Sequence, residues 1–197
     1  MREVELKSVV DDLRDRRNAI ESAGAKLVFA GKLEDQRFDT ADRTLAAKDL
    51  VLRLRIYRSA DRATAHLDWK GPTEKVDGFK VRDELTTGVT NADVLSAILG
   101  SLGHVVTREI EREIVQYELG GTTIRFERYP RMDVLVEVEG EPEGIEAAIV
   151  ALGMPRAGFT TERLPDFVRG YETRTGVRAA LCARELGGDY RYSVRDA

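Results

Sequence analysis

The sequence predicts an α+β domain built on one curled antiparallel sheet, with helices outside and an ionic face turned inward. Three observations carry this. Short runs of apolar/polar alternation, the period of a strand, recur along the chain and outnumber the helical stretches. On six of these runs the polar face is almost wholly charged. The signs of those charges are also grouped strand by strand.

Residues 2–8 alternate charged and apolar and open the chain as a strand. A weakly amphipathic helix follows over about 10–23, carrying Leu13, Ile20 and Ala23 and ending near Gly24. Strands are expected at about 25–31, 50–58, 63–70 and 78–86. Asp61-Arg62 supplies a hairpin turn, and Gly71-Pro72 ends the strand before it. Thr90 or Asn91 caps a second helix that runs through Val94, Leu95, Ile98 and Leu102 to Gly103. Strands resume at 104–119, turn at Gly120-Gly121, and continue through 122–129 and 133–139. A third helix spans about 142–152, and a fourth about 161–175 with Thr161 as its cap and Gly176 after it. Residues 177–197, with Tyr190 and Tyr192, read as a short helix or loop. No Pro/Gly/Ser-rich linker breaks the chain. One domain is expected, 1–176, with 177–197 as its C-terminal extension.

Composition excludes several classes. With 31 basic and 35 acidic residues the net charge is −4, which argues against unspecific nucleic-acid binding. One cysteine, Cys182, and two histidines leave no zinc-type cluster, so any metal must take oxygen ligands. The charged start Met1-Arg2-Glu3 is no signal segment, and no apolar run approaches the roughly 20 residues of a membrane span. A cytoplasmic protein without a membrane partner is expected. Exposed apolar strand faces could pair two copies as a homodimer.

Strand side chains alternate between two faces. Glu3, Glu5 and Lys7 share one face of the first strand. Arg53 and Arg55 share a face, as do His66, Asp68 and Lys70, and also Lys80, Arg82 and Glu84. Arg125 pairs in this way with Glu127, and Glu137 with Glu139. A single strand of this kind is ordinary, with one face on a core and one in water. Six together predict a sheet that closes on its ionic face. Carboxylates converging from several strands offer hard oxygen ligands for Mg²⁺ or Mn²⁺. Guanidinium and ammonium groups in number suit a polyphosphate, which Arg can grip bidentately. Burying such charges costs several kcal/mol per ion unless partners compensate, and an anion with a divalent metal would satisfy both sets.

These residues also follow a known order of motifs. Glu3-Val4-Glu5-Leu6-Lys7 resembles the ExExK signature of the CYTH family, the triphosphate tunnel metalloenzymes whose founding member is class IV adenylyl cyclase. Phe38-Asp39-Thr40 with Leu45, Leu52-Arg53-Leu54-Arg55, Trp69-Lys70-Gly71-Pro72, Lys80-Val81-Arg82-Asp83-Glu84 and Val136-Glu137-Val138-Glu139 resemble its later motifs in order. Tyr171 stands near the place of a tyrosine in the family's terminal helix. The resemblance covers roughly residues 2–175. It implies a closed eight-stranded antiparallel β-barrel, a triphosphate tunnel, with flanking helices. It further implies Glu3, Glu5, Glu127, Glu137 and Glu139 at the metal, and Lys7, Arg53, Arg55, Lys70, Lys80, Arg82, Arg112 and Arg125 on phosphate. Lys7, Glu84 and Glu127 are the expected catalytic groups. Two positions depart from the pattern. Glu127 stands where the family usually has Asp, and Ile114 where it commonly has a second basic residue after Arg112. Arg125 or Arg108 is the expected substitute for that missing charge.

The resemblance implies a small-molecule triphosphate substrate and a divalent metal, Mg²⁺ or Mn²⁺. The favoured activity is conversion of ATP to cyclic AMP and pyrophosphate. The alternatives are hydrolysis of inorganic or thiamine triphosphate, and a non-catalytic nucleotide- or polyphosphate-binding module.

Overall fold

The structure is a computed structural model and describes residues 2–190. Its elements are β1 (Arg2–Val9), α1 (Leu13–Ser22), β2 (Lys26–Thr40), β3 (Val51–Arg58), β4 (Ala63–Lys70), β5 (Glu74–Val76), β6 (Phe79–Val89), α2 (Ala92–Ser101), β7 (His104–Leu119), β8 (Thr122–Arg128), β9 (Leu135–Glu139), α3 (Pro142–Leu152), α4 (Leu164–Thr175) and α5 (Ala183–Gly187). The strands pair antiparallel in the order β1-β9-β8-β7-β2-β3-β4-β6. The sheet closes because β1 pairs with β6 through its first half, Glu3 facing Arg82, and with β9 through its second, Lys7 facing Glu137. The eight strands form a closed barrel, and β5 is an extra strand on β6.

Local chemistry fixes the joints. Gly120 and Gly121, at φ of 58° and 83°, take the left-handed turn that a two-residue hairpin between β7 and β8 requires. Asn91 caps α2 by accepting from the Val94 N–H at 3.0 Å. Pro142 sits in the first turn of α3, where its missing N–H costs nothing.

The outer wall carries the apolar core. Ile145, Ala148, Ile149 and Leu152 recur at helical spacing on α3 and pack on Leu6, Ile124, Phe126, Val136 and Val138 of the barrel, with Ile20 of α1. Each such fully buried side chain contributes about 1.5–3 kcal/mol. Around the barrel, Leu99 of α2 covers Phe38 and Leu54. A third cluster lies at one barrel end. There the inward-facing Ile110, Tyr129 and Leu135 pack on Phe167 and Val168 of α4, together with Ala179 and Leu181. Helix α4 therefore covers that end of the tunnel.

Several boundaries differ from the sequence reading. The strand expected at 25–31 continues to Thr40, because residues 32–37 face charge inward (Asp35) and polar groups outward (Lys32, Glu34, Gln36), which erases apolar alternation. Helix α4 starts at Leu164 and not near Thr161, since Pro165 favours the first turn and the Asp166 carboxylate accepts from the Arg163 N–H at 2.9 Å. Helix α1 is shorter than expected, starting after the Asp12 cap. The terminal segment contributes α5 and the buried Ala179–Cys182; Tyr192 lies outside the described residues. Among the described residues no helix is long and apolar enough to cross a membrane.

Candidate functional site

The barrel interior holds two chambers. One, of about 180 Å³, lies under α4, and its lining holds more cations, among them Lys7, Arg37, Arg53, Lys80, Arg82 and Arg163, than carboxylates, which include Glu5, Asp35, Glu127 and Glu137. The other, of about 740 Å³, opens at the opposite end and is lined by Glu3, Asp68, Glu84 and Glu139. Its walls also carry Phe29, Tyr57 and His66, whose rings meet edge to face at 5.5 and 5.8 Å. Arg55 and Arg125 border both chambers. The tunnel is thus basic toward α4 and acidic toward the far mouth.

Between the chambers the charges interlock. Asp35 accepts from Arg55 at 3.3 Å and Arg112 at 3.2 Å, and lies 3.8 Å from Arg53. Burial opposes its ionisation, but Arg112, Arg55 and Arg53 outweigh burial and hold Asp35 well below the usual carboxylate range. Asp68 accepts from Arg53 at 2.8 Å. Glu127 accepts from Arg112 at 2.9 Å, Arg125 at 3.1 Å and the Tyr129 hydroxyl at 2.6 Å. Against burial, Arg112 and Arg125 bring it down to about 2. Glu137 binds both Arg125 and Lys7. Burial works against the charge on Lys7, yet Glu137 and Glu5 raise it well above the lysine range. Lys80 binds Glu5 but is lowered, because burial outweighs that pairing. Lys70 bridges Glu3 at 2.6 Å and Glu84 at 3.1 Å. Arg82 donates to the Gly71 and Asp49 carbonyls, both at 2.7 Å.

Glu139 differs from these. It faces Glu5 directly across β1 and β9, and has no hydrogen bond or ion pair among the described residues. Burial, then Glu137 and Glu3, push its carboxyl up to about 7. A carboxylate pressed by other carboxylates in a buried layer lacks a cation. Hard oxygen donors from adjacent strands match the chemistry of a small divalent ion. As placed here, no three acidic or histidine side chains among the described residues stand close enough to hold one, and Lys7 and Lys80 occupy Glu5 and Glu137. The residue types fit a divalent ion; their spacing in this structure does not gather them around one.

A family model, that of the CYTH domain, matches residues 1–148. The chain belongs to the CYTH family. Solved structures share its fold at low identity. A proposed adenylate cyclase from Vibrio parahaemolyticus superposes with a TM-score of 0.73 at 20% identity, over 85% of this chain and 97% of that one. The PH1819 protein of Pyrococcus horikoshii gives 0.68 at 21%, over 82% and 94%. The proposed adenylyl cyclase HpAC1 from Hippeastrum, in which triphosphatase activity dominates, gives 0.62 at 16%, over 91% and 98%. No curated protein matches the chain by sequence.

This CYTH barrel gathers the sequence-derived residues on its inner surface. Glu3, Glu5, Arg53, Arg55, Lys70, Lys80, Arg82, Arg112, Arg125, Glu127 and Glu137 are all buried there, and Lys7, Glu84 and Glu139 are half-buried. Of the two substitutes for the missing basic residue, Arg125 shares Glu127 with Arg112, whereas Arg108 pairs with Glu185 at 3.4 Å. Sequence reading missed Asp35 and Arg37, since β2 was cut short before them. It placed Asp68 on the ionic face but did not recognise it as the counter-ion of Arg53. The Phe38-Asp39-Thr40 motif has a structural task. The Asp39 carboxylate accepts from the N–H groups of Thr40, Leu45 and Ala46 at 2.7–2.9 Å, pinning the loop after β2.

Proposed function

We propose that this chain is a divalent-metal-dependent enzyme acting on a triphosphate laid along the tunnel, and that with ATP it forms cyclic AMP and pyrophosphate. The observation that carries this reading is the polarity of the tunnel. The narrow basic chamber suits a pyrophosphate, and the roomy chamber beside the acidic layer suits a nucleoside against Phe29, Tyr57 and His66. The phosphorus between them is then the α-phosphorus.

In this arrangement Arg53, Arg55, Lys70, Lys80, Arg82, Arg112 and Arg125 bind phosphate oxygens and hold the leaving pyrophosphate. Lys7, freed from Glu137, moves its ammonium to an oxygen of the reacting phosphate. The ATP 3′-hydroxyl forms the new O–P bond as the bond to pyrophosphate breaks. Its proton passes to Glu84, which lines the same chamber. Glu127 keeps Arg112 and Arg125 in place. Glu3, Glu5, Glu137 and Glu139, with Glu127 nearby, would hold Mg²⁺ or Mn²⁺, which supplies positive charge to the phosphate oxygens.

The second reading is hydrolysis of inorganic or thiamine triphosphate, favoured by the dominant triphosphatase activity of the Hippeastrum relative. A binding module without turnover is the third. The test is to offer ATP and inorganic triphosphate separately with Mg²⁺ or Mn²⁺ and resolve every product. Cyclic AMP with pyrophosphate from ATP is expected. Phosphate from triphosphate with ATP left intact would replace the cyclase reading by the hydrolase, and binding without turnover would leave the module.

A further inference from the structure

Ile114 departs from the family pattern, and its neighbour Gln116 gives that departure a meaning. Toward the wide mouth the inner face of β7 runs Arg112, Ile114, Gln116: a cation, an apolar group and an amide. Four residues of strand, roughly 13 Å, separate Gln116 from Arg112, and a sugar fits between a gripped phosphate and a base over that span. Gln116 stands in register with Phe29 of β2 on one side and Arg125 of β8 on the other, so it joins the aromatic wall to a residue that borders both chambers. Beside it the wall turns neutral. Phe29, Tyr57, Thr64, His66 and Thr123 line the same chamber. The rings of Phe29, Tyr57 and His66 stand nearly perpendicular, at 83° and 77°, and do not stack on one another. Tyr57 also accepts from Arg55 at 3.1 Å, which ties this wall to the phosphate-binding side. Glu3, Asp68, Glu84 and Glu139 of the chamber repel an anion, so the group it admits is uncharged or cationic. A carboxamide carries a donor beside an acceptor. Adenine shows the complement, its 6-amino donor beside the N7 acceptor, whereas guanine shows two acceptors there, O6 and N7.

We propose that Gln116 reads the edge of the base and makes the tunnel selective for a 6-aminopurine nucleotide, with Phe29, Tyr57 and His66 confining the ring. The Gln116 amide donates to N7 and accepts from the 6-amino group. With guanine in the same place, either orientation of the amide leaves its carbonyl facing one of two acceptors, and an unmatched polar pair away from water is costly. Ile114 marks the boundary between the two readings. A cation there would stand beside the sugar, where no phosphate lies. The inference rests on the reading of the wide chamber as the nucleoside site.

The test is calorimetric titration of 3′-deoxy-ATP, 3′-deoxy-GTP and inorganic triphosphate, each with Mg²⁺, into the full chain and into Gln116→Leu and Gln116→Arg. Neither nucleotide has the 3′-hydroxyl that ring closure needs, so binding is read apart from cyclisation. The parent is expected to bind 3′-deoxy-ATP about 10- to 100-fold more tightly than 3′-deoxy-GTP. Gln116→Leu keeps the bulk but loses both hydrogen bonds, so that ratio should fall to about threefold or less while triphosphate affinity holds. Gln116→Arg, whose fork matches two adjacent acceptors, should turn the ratio toward 3′-deoxy-GTP. A parent without preference between the nucleotides, or a ratio unchanged in Gln116→Leu, overturns the inference, while binding of triphosphate and both nucleotides leaves the tunnel reading intact. A parent that binds triphosphate but neither nucleotide overturns the inference together with the nucleoside chamber. A parent that binds none of the three overturns the tunnel reading as well.

Discussion

Asp35 illustrates how single side chains hold this interior together. It is buried and meets Arg53 and Arg55 from β3 on one side and Arg112 from β7 on the other. Removing one member of such a cluster leaves the others buried without compensation, at a cost of about 3–5 kcal/mol. Asp35→Asn should lose stability of that order in urea unfolding at pH 7. The pH dependence has a definite sign. Because its folded pKa is depressed, Asp35 contributes stability that is complete above the unfolded value near 3.8 and is lost as pH falls below it. The parent should therefore lose stability more steeply than Asp35→Asn on acidification below pH 4. Equal slopes would show that Asp35 is not held ionised by its neighbours. At Glu137 the expectation concerns activity. Glu137→Gln keeps the side-chain shape but removes a carboxylate of the acidic layer and one of the two oxygens that bind Arg125 and Lys7, so turnover should fall on the order of a hundredfold or more while the circular dichroism spectrum is kept. Near-normal turnover in that variant would count against Glu137 as a metal ligand. Glu3, Glu5, Arg53 and Arg55 were legible in the sequence because each alternates with Val or Leu. Asp35 and Arg37 were not, since their outward neighbours Glu34 and Gln36 are polar too.

Among the elements, β2 has the tightest packing requirement. A Cβ on Gly31 would stand 2.1 Å from the Arg58 carbonyl oxygen of the paired strand, and backbone cannot yield that distance cheaply. Gly31→Ala should destabilise by about 1–3 kcal/mol or more, read as a drop in melting temperature. An unchanged melting temperature would mean that β2 and β3 do not approach as described. Helix α4 gives a milder case. Asp166 caps its first turn and Arg163 bonds Asp49 at 2.6 Å beside the basic chamber. Asp166→Ala should cost about 1 kcal/mol of stability. Helices were the easier elements to read, because α2 and α3 carry caps, apolar spacing and glycine stops. Strands facing a charged interior broadcast no apolar period, which is why β2 appeared half its length and the three-residue β5 not at all.

At the scale of the whole molecule, the barrel inverts the usual placement of charge. Its apolar groups sit between wall and helices, and its ions sit inside, where most cations meet a carboxylate but the signs separate along the axis. That separation is what a ligand of opposite polarity would relieve. The closed architecture followed from six ionic strand faces taken together, though the strand order and the covering by α4 needed tertiary contacts that no local pattern encodes. The most direct test is diffraction from crystals grown with Mn²⁺ and inorganic triphosphate, using the anomalous signal of manganese. The account predicts the metal among Glu3, Glu5, Glu137 and Glu139, with the phosphates running toward Arg53 and α4. Manganese and triphosphate found only on the outer surface, with the interior ion pairs unchanged, would contradict it.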